Sequence, residues 1–202
     1  MSAGDFARVT GTAPEIVNKI ERFVSLLEKW QSKKNLVGKS TLPEVWNRHI
    51  LDSAQLAPLI ANIPGEIVDI GSGAGFPGLI LAMLMGRKVH LIESDSGKCA
   101  FLTEAARVTD SPVIIINRRI ESVTDIKFSV VTARAVAPLA ALIGLAQPIL
   151  EPEGVCFFLK GQKVSEELTK ALKRWKMIVT RIPSVTDSNA TVLKLEKIAR
   201  KS

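Results

Sequence analysis

The sequence predicts an α/β protein: a mostly parallel, seven-stranded sheet that ends in an antiparallel hairpin, with a helical cap at the amino end. Three observations carry this. Residues 67 to 79 read Ile67-Val68-Asp69-Ile70-Gly71-Ser72-Gly73-Ala74-Gly75-Phe76-Pro77-Gly78-Leu79, an apolar run ending in an acid, then four glycines in eight positions, then the apolar Leu79 to Leu84. That pattern describes a buried strand, a tight turn and a helix. From Glu66 onward apolar runs alternate with helical patterns, which implies a parallel sheet covered on both faces. The chain then closes on two strand-like runs joined by Thr186-Asp187-Ser188-Asn189, a hairpin signal.

Taken in order, the first element is an amphipathic helix from about residue 13 to 33. Ile16, Ile20, Phe23, Leu27 and Trp30 form one stripe at spacings of four and three. Thr12 and Glu15 have capping-box spacing, and Pro14 is tolerated in the first turn. Lys33 to Gly38 breaks the pattern. Thr41 with Glu44 then begins a second capped helix through Trp46, Ile50 and Leu51, and Pro58 and Pro64 close the prelude. The expected organisation is a cap over residues 1–64 packed on a sheet domain over 65–202, one compact unit. Strands are expected at 66–70, 87–93, 112–116, 128–133 and 154–160, a helix at 163–174, and the hairpin strands at Met177–Pro183 and Thr191–Lys197.

With 202 residues and 47% hydrophobic content, the chain can bury a full core without staples. Cys99 and Cys156 lie 57 apart in apolar segments, and neither Cys-x-x-Cys nor His-Glu-x-x-His occurs, so they read as small core residues and no metal is expected. No apolar run reaches about 18 residues and no leader pattern opens the chain. A cytoplasmic, monomeric protein that avoids membranes is expected. The net charge of +7 is localised: residues 1–159 hold 16 basic and 16 acidic residues, whereas residues 160–202 hold 11 and 4. Lys163, Lys170, Lys173, Arg174 and Lys176 fall on or beside one predicted helix, a face suited either to RNA phosphates or simply to solvent.

The glycine turn is a binding site because its backbone can approach a ligand closely. Gly73-x-Gly75-x-x-Gly78 also fits the dinucleotide fingerprint. Glu93, 20 residues after Gly73, sits where an acid accepts hydrogen bonds from the ribose of any adenosine-containing ligand. Pro77 lacks the N–H that a pyrophosphate would want, which favours a ligand without phosphates there. Leu79 and Ile80 stand where a P-loop needs Lys and Ser or Thr, which excludes an NTPase.

Asp69-Ile70-Gly71-Ser72-Gly73-Ala74-Gly75 resembles the glycine-rich loop of class I methyltransferases that use S-adenosylmethionine. Asn35-Leu36-Val37, Arg48-His49-Ile50-Leu51-Asp52-Ser53, Gly75-Phe76-Pro77-Gly78, Arg119-Ile120-Glu121, Arg134-Ala135-Val136-Ala137-Pro138-Leu139 and Lys160-Gly161 resemble, in order, the motifs of the small-subunit ribosomal RNA guanine-N7 methyltransferase family, also called glucose-inhibited division protein B. The resemblance implies S-adenosylmethionine as cofactor and 16S ribosomal RNA, free or in the small subunit, as partner. It places Asp69, Gly71, Gly73, Gly75 and Phe76 in the cofactor loop, Glu93 at the ribose, Ile120 and Glu121 at the adenine edge, and Arg134 closing the site as its catalytic residue. Arg48, His49 and Arg119 are expected RNA neighbours alongside the basic segment, as is Lys160, which ends an apolar strand run at its carboxyl end, where ligand crevices lie. One position departs from the family pattern: Gly97 stands before Lys98 where two basic residues are usual.

The residues agree by exclusion. Adenine amino-group methylation carries an Asn/Asp-Pro-Pro-aromatic clamp after the fourth strand, where this chain has Thr132-Ala133-Arg134-Ala135. Pyrimidine carbon methylation needs a thiolate, and neither cysteine has an activating neighbour in sequence. Guanine N7 already bears a lone pair, so alignment alone can supply most of its catalysis. His90 reads as a sheet histidine without a role. A nucleotide-dependent oxidoreductase and a catalytically idle RNA-binding module remain as alternatives, separable by titrating S-adenosylmethionine, S-adenosylhomocysteine and NAD.

Overall fold

In the computed structural model, which describes residues 1–201, the strands assemble into one sheet. They are β1 (Ile67–Ile70), β2 (Val89–Ile92), β3 (Val113–Ile116), β4 (Phe128–Arg134), β5 (Leu150–Lys160), β6 (Trp175–Pro183) and β7 (Thr191–Arg200). Their spatial order is β3-β2-β1-β4-β5-β7-β6. The first five run parallel, β7 lies antiparallel beside β5, and β6 lies antiparallel on the outer side of β7. Chain order reverses between β1 and β4. Ligand crevices in open α/β sheets lie at such a point, outside the carboxyl ends of the strands.

Both faces of the sheet are covered, which is why its central strands read as continuous apolar runs. Alternation along each strand splits the core in two. Ile67, Val89, Leu91, Val130, Val155 and Phe157 face a layer made by the cap and the helices α5 (Gly78–Met85) and α6 (Ser96–Thr109). Val68, Ile70, Ile92, Val131, Cys156 and Phe158 face α7 (Leu139–Ala146) and α8 (Val164–Leu172). The cap comprises α1 (Ala3–Thr10), α2 (Pro14–Gln31), a 3₁₀ turn over Lys39–Glu44, a π-helical turn over Trp46–Leu51 that continues into α3 (Asp52–Ala54), and α4 (Ala57–Ile60). Ile20, Phe23 and Leu27 of the predicted stripe are fully buried in the same cluster as Ile67 and Leu79. Gly78 through Met83 of α5 are all buried, because β2 packs on one side of this helix and α2, α3 and α4 on the other. A helix enclosed this way has no polar face to write into its sequence.

Several expectations change. Thr12 does not cap α2: Ala13 holds the N-cap position and the Thr12 hydroxyl meets that of Thr10 at 2.6 Å. Thr41 and Glu44 do not open a capped α-helix either; the segment is a 3₁₀ turn around Pro43, followed by π-type bonding through Arg48 and His49. Thr41 instead uses its hydroxyl on Gly38 O and His49. The fifth strand starts four residues early, with register slipping between Phe128 and Val130 as residues 151–154 bulge out. The last strand extends to Arg200 across a bulge at Lys197 (φ +52°), which shifts the period-two pattern and hides its continuation from sequence. α8 ends at Leu172, so Lys173 and Arg174 lie in the turn that follows and Lys176 lies on β6.

Candidate active site

The glycine turn follows β1 at the carboxyl edge of the sheet. Gly71, Gly73 and Gly75 all have positive φ (+65°, +57° and +93°). At Gly73 a built Cβ would meet only Gly71 O, at 3.8 Å, so open space lies in front of it and a ligand can approach the backbone. Two carboxylates fix the turn. Asp69 lies beneath it, fully buried, accepting from Gly78 N at 3.1 Å and from the Thr132 hydroxyl at 3.0 Å. Burial pushes its carboxyl up to about 7, against the pull of the hydrogen bonds from Ser72, Thr132 and Gly78 and of the Arg134 charge. The Thr132 hydroxyl also lies 3.3 Å from Val68 O, so it can turn there and accept from a protonated Asp69. Glu93, one residue past β2 and only 8% exposed, accepts from Gly73 N at 2.9 Å with one oxygen and from Asp95 N at 2.8 Å with the other. Each oxygen keeps a lone pair for a ligand hydroxyl. An open turn with an acid locked beside it fits the adenosine half of S-adenosylmethionine.

Phe76 belongs to the same turn, but its side chain is covered. It is 4% exposed, with the Phe23 ring edge-on at 5.4 Å, the His49 ring stacked at 4.9 Å, and the Arg134 guanidinium 5.1 Å from its centroid. Phe76 is covered by Phe23 and His49 of the cap and Asp69 by Gly78 of α5 and Thr132 of β4, so both side chains brace the loop from beneath. Ile120 and Glu121 follow β3 in a short 3₁₀ turn; Ile120 packs on the second core and Glu121 is exposed.

Arg134 leaves the carboxyl end of β4, as expected, and is then bound by protein on several sides. Nη1 donates to Arg48 O at 2.8 Å and pairs with Asp52 at 3.2 Å, while Nη2 donates to His49 Nδ1. The ion pair is largely buried, with side chains 16% and 15% exposed. Guanidinium can only donate, so His49 Nδ1 is the acceptor and its proton sits on Nε2, facing the Thr41 hydroxyl at 2.8 Å. That hydroxyl donates onward to Gly38 O. Burial, then the charges of Arg134 and Arg48, lower His49 to about 3 and keep it neutral at physiological pH. His49 is therefore an orienting group on Arg134. Asp52 also accepts from Gln55 and from the Thr186 hydroxyl, tying the cap to the β6–β7 turn.

On the far side of Arg134 from Phe76, and lined by Arg134 and Ala135, lies a cleft of about 740 Å³. Arg48 and Lys160 line it, as do Asn47, Glu167 and residues 186–188 of the β6–β7 turn. Lys160 is 9% exposed and neutralised by Glu167 at 2.6 Å. Arg119 is exposed, and Arg118 is tied to its own loop through Ser122 O and Asp125. Lys163, Lys173 and Arg174 are exposed, and Lys170 pairs with Glu166 along α8. The departure at Gly97 has a spatial counterpart: a Cβ there would stand 2.6 Å from Lys34 Nζ, which pairs with Asp95 at 2.7 Å. Both thiols are buried, and burial pushes each up, Cys99 further through Glu93 and Asp95, away from the thiolate form.

Sequence reasoning passed over Asp52, Thr41 and Glu167 as site residues. His49 and Asp52, three apart on one helical face, were a local signal for the first. Nothing local marks Glu167, whose partner Lys160 lies on another element.

Residues 16–193 match the family model described as rRNA small subunit methyltransferase G. A protein named ribosomal RNA small subunit methyltransferase G from Paramagnetospirillum magneticum is 50% identical over 191 residues, covering 95% of this chain and 93% of the relative. The protein of the same name from Rhodospirillum centenum is 46% identical over 197 residues, covering 98% and 91%. Among solved structures, M. jannaschii TYW2 in complex with AdoMet superimposes with a TM-score of 0.57 at 19% identity, over 84% of this chain and 80% of that one. The glycopeptide N-methyltransferase MtfA complexed with S-adenosyl-L-homocysteine does so with 0.60 at 11%, over 73% and 89%. These structures share the class I methyltransferase fold, and the sequence matches span the cap, the glycine turn and the Arg134 loop together: the chain belongs to the rRNA small subunit methyltransferase G family.

Proposed function

We infer that the protein is an S-adenosylmethionine-dependent methyltransferase that modifies N7 of a guanine in 16S ribosomal RNA. Family membership over residues 16–193 carries this reading. S-adenosylmethionine, held by the glycine turn and Glu93, would supply an electrophilic methyl group to the N7 lone pair, with the C–S bonding electrons left on sulfur and the positive charge passed to the base. No proton has to leave N7. That agrees with a site whose one histidine is neutral and committed to Arg134, and whose thiols are buried. The chain's task is then orientation.

In this proposal the Gly71–Gly75 backbone and Glu93 hold the adenosine half of the cofactor, with Ile120 and Glu121 at the adenine. Arg134 and the cap residues His49 and Asp52 set the boundary between cofactor and base. Residues 1–64 serve as the cap that delivers those two side chains to a catalytic domain spanning 65–202. No described helix is long and apolar enough to cross a membrane. Action on ribosomal RNA assigns the protein to the cytoplasm, where we propose that it works as a monomer.

The direct test is to incubate the protein and labelled cofactor with unmodified small-subunit RNA and map the methyl group. Tight binding of NAD with no binding of S-adenosylmethionine or S-adenosylhomocysteine would sink the reading in favour of an oxidoreductase. Replacing Glu93 with Ala is expected to weaken S-adenosylmethionine binding by about 1.5 to 3 kcal/mol, the loss of hydrogen bonds to a charged group. Calorimetry on the folded variant reads this, and unchanged affinity would place the ribose elsewhere.

The exposed Lys173, Arg174 and Lys176 are proposed phosphate contacts. RNA affinity should fall steeply with salt, and removing any one of them should flatten the log–log slope by about 0.7 to 0.9. Lys170 should matter less, because Glu166 already neutralises it. A slope unchanged by neutralising all three would make the cluster an ordinary solvated surface.

A further inference from the structure

The cleft lined by Arg134 has a charge pattern at odds with the rest of the chain. Three cations line it, Arg48, Arg134 and Lys160, against four carboxylates, Glu44, Asp52, Glu167 and Asp187, in a chain of net charge +7. Two of those cations are already neutralised, Arg134 by Asp52 and Lys160 by Glu167. That leaves Arg48 against Glu44 and Asp187, a lining with carboxylates free to accept from a group rich in N–H donors. Its volume, about 740 Å³, lies within the usual range for small-ligand sites, roughly 300–1,000 Å³. Arg134, which lines the cleft, also lies 5.1 Å from the ring centroid of Phe76 in the glycine turn, so a group seated here would lie on the cofactor side of the sheet.

One wall is the turn between β6 and β7, and it is held rigidly across the cleft. Val185 N donates to Gln55 Oε1 at 3.1 Å and the Thr186 hydroxyl donates to Asp52 at 3.0 Å, both across to the cap. Within the turn, Asn189 N donates to Asp187 Oδ1 at 2.8 Å and Ala190 N to Asp187 O at 2.9 Å. Asp187 is thereby fixed at the rim, with Oδ2 lacking a hydrogen-bond partner among the described residues. Glu44, on the 3₁₀ turn, is the other carboxylate of the cleft without a cation, and its side chain has no hydrogen bond to anchor it among the described residues.

We propose that this cleft receives the target guanosine, extruded from the RNA, and that Asp187 reads its Watson–Crick edge by accepting from N1–H and the N2 amino group. The proposal rests on the methyltransferase reading and adds where the base sits and what selects it. RNA bases that undergo chemistry are taken out of the stack and recognised on that edge. Guanine alone among the four presents two adjacent donors there, which a carboxylate matches and an adenine cannot satisfy. Methylation at N7 leaves the base cationic, so a carboxylate fixed on the far edge also stabilises the charge as it develops.

The test uses full-length protein and small-subunit RNA ligated to carry guanosine or inosine, which lacks the N2 amino group, at the mapped position. The wild type is expected to methylate guanosine at least 10-fold faster than inosine. Asp187→Asn should lose 10- to 100-fold on guanosine and bring the ratio near one. The same ratios should appear in RNA affinity measured by fluorescence anisotropy with S-adenosylhomocysteine present, with circular dichroism confirming the fold. Wild-type rate and discrimination in Asp187→Asn, or equal use of both bases by the wild type, would overturn the proposal. So would Glu44→Gln, rather than Asp187→Asn, erasing the ratio. A wild type that methylates no guanine at all would instead overturn the function on which the proposal rests, and the proposal with it.

Discussion

Arg134→Ala is expected to fold and to methylate small-subunit RNA roughly 100- to 1,000-fold more slowly than the wild type, about 2.7 to 4 kcal/mol of lost alignment. The guanidinium is the junction of the site. It joins the end of β4 to the cap through Arg48 O, Asp52 and His49, and covers the Phe76 ring beside the glycine turn. Arginine cannot serve as a base, and Asp52 at 3.2 Å offsets its charge. Its removal also leaves Asp52 partly buried without a cation, which costs stability. Arg134→Ala combined with Asp52→Asn should therefore regain thermal stability without regaining activity. Arg134→Lys should recover only part of the rate, since a point charge cannot meet a carboxylate, a carbonyl and an imidazole at once. The measurement is labelled methyl transfer, with melting followed by circular dichroism. Wild-type turnover in the folded alanine variant would reduce Arg134 to a strut between cap and sheet.

Gly78→Ala is expected to destabilise the protein strongly and to weaken its hold on the cofactor. A Cβ at Gly78 would stand 2.4 Å from Leu91 Cδ2, 2.6 Å from Asp69 Cβ and 2.9 Å from Asp69 Oδ2. Leu91 can rotate away, but the Asp69 Cβ is fixed by β1, so helix α5 must retreat from the sheet. That motion stretches the 3.1 Å bond from Gly78 N to Asp69, a buried acceptor with no water to replace it. Overpacking of about 1–3 kcal/mol combines with a compromised buried hydrogen bond, for a total of about 3 kcal/mol. For a chain of this size the loss should lower Tm by roughly 6 to 12 °C. It should also weaken S-adenosylmethionine binding, because Gly78 anchors the far end of the turn. Calorimetric melting and cofactor titration check both effects. A variant that melts within about 2 °C of the wild type would mean that α5 and β1 separate more easily than their packing suggests.

The sequence by itself determined the parallel sheet, the closing hairpin, the glycine turn and the acid after β2. These are written in local patterns: period-two and period-3.6 hydrophobicity, and glycines where the backbone turns. It also placed Arg134 at a strand end, because the run Phe128 to Ala133 marks where β4 stops. What it could not contain is the partnering across elements. Asp52 and Arg134 are 82 residues apart, Lys160 and Glu167 sit on a strand and a helix, and Lys34 fills the space over Gly97 from another layer. The helical cap was legible from its stripe, but Thr12 and Thr41 were misread as caps because the same hydroxyls had tertiary or turn partners available. Likewise no local pattern shows that the Asp69 side chain packs under α5 beside Thr132, or that the Phe76 ring packs on Phe23 and His49 of the cap. Tertiary structure alone decided whether each polar side chain faces ligand or protein, since that depends on which distant residue satisfies its hydrogen bonds and charge once water is excluded.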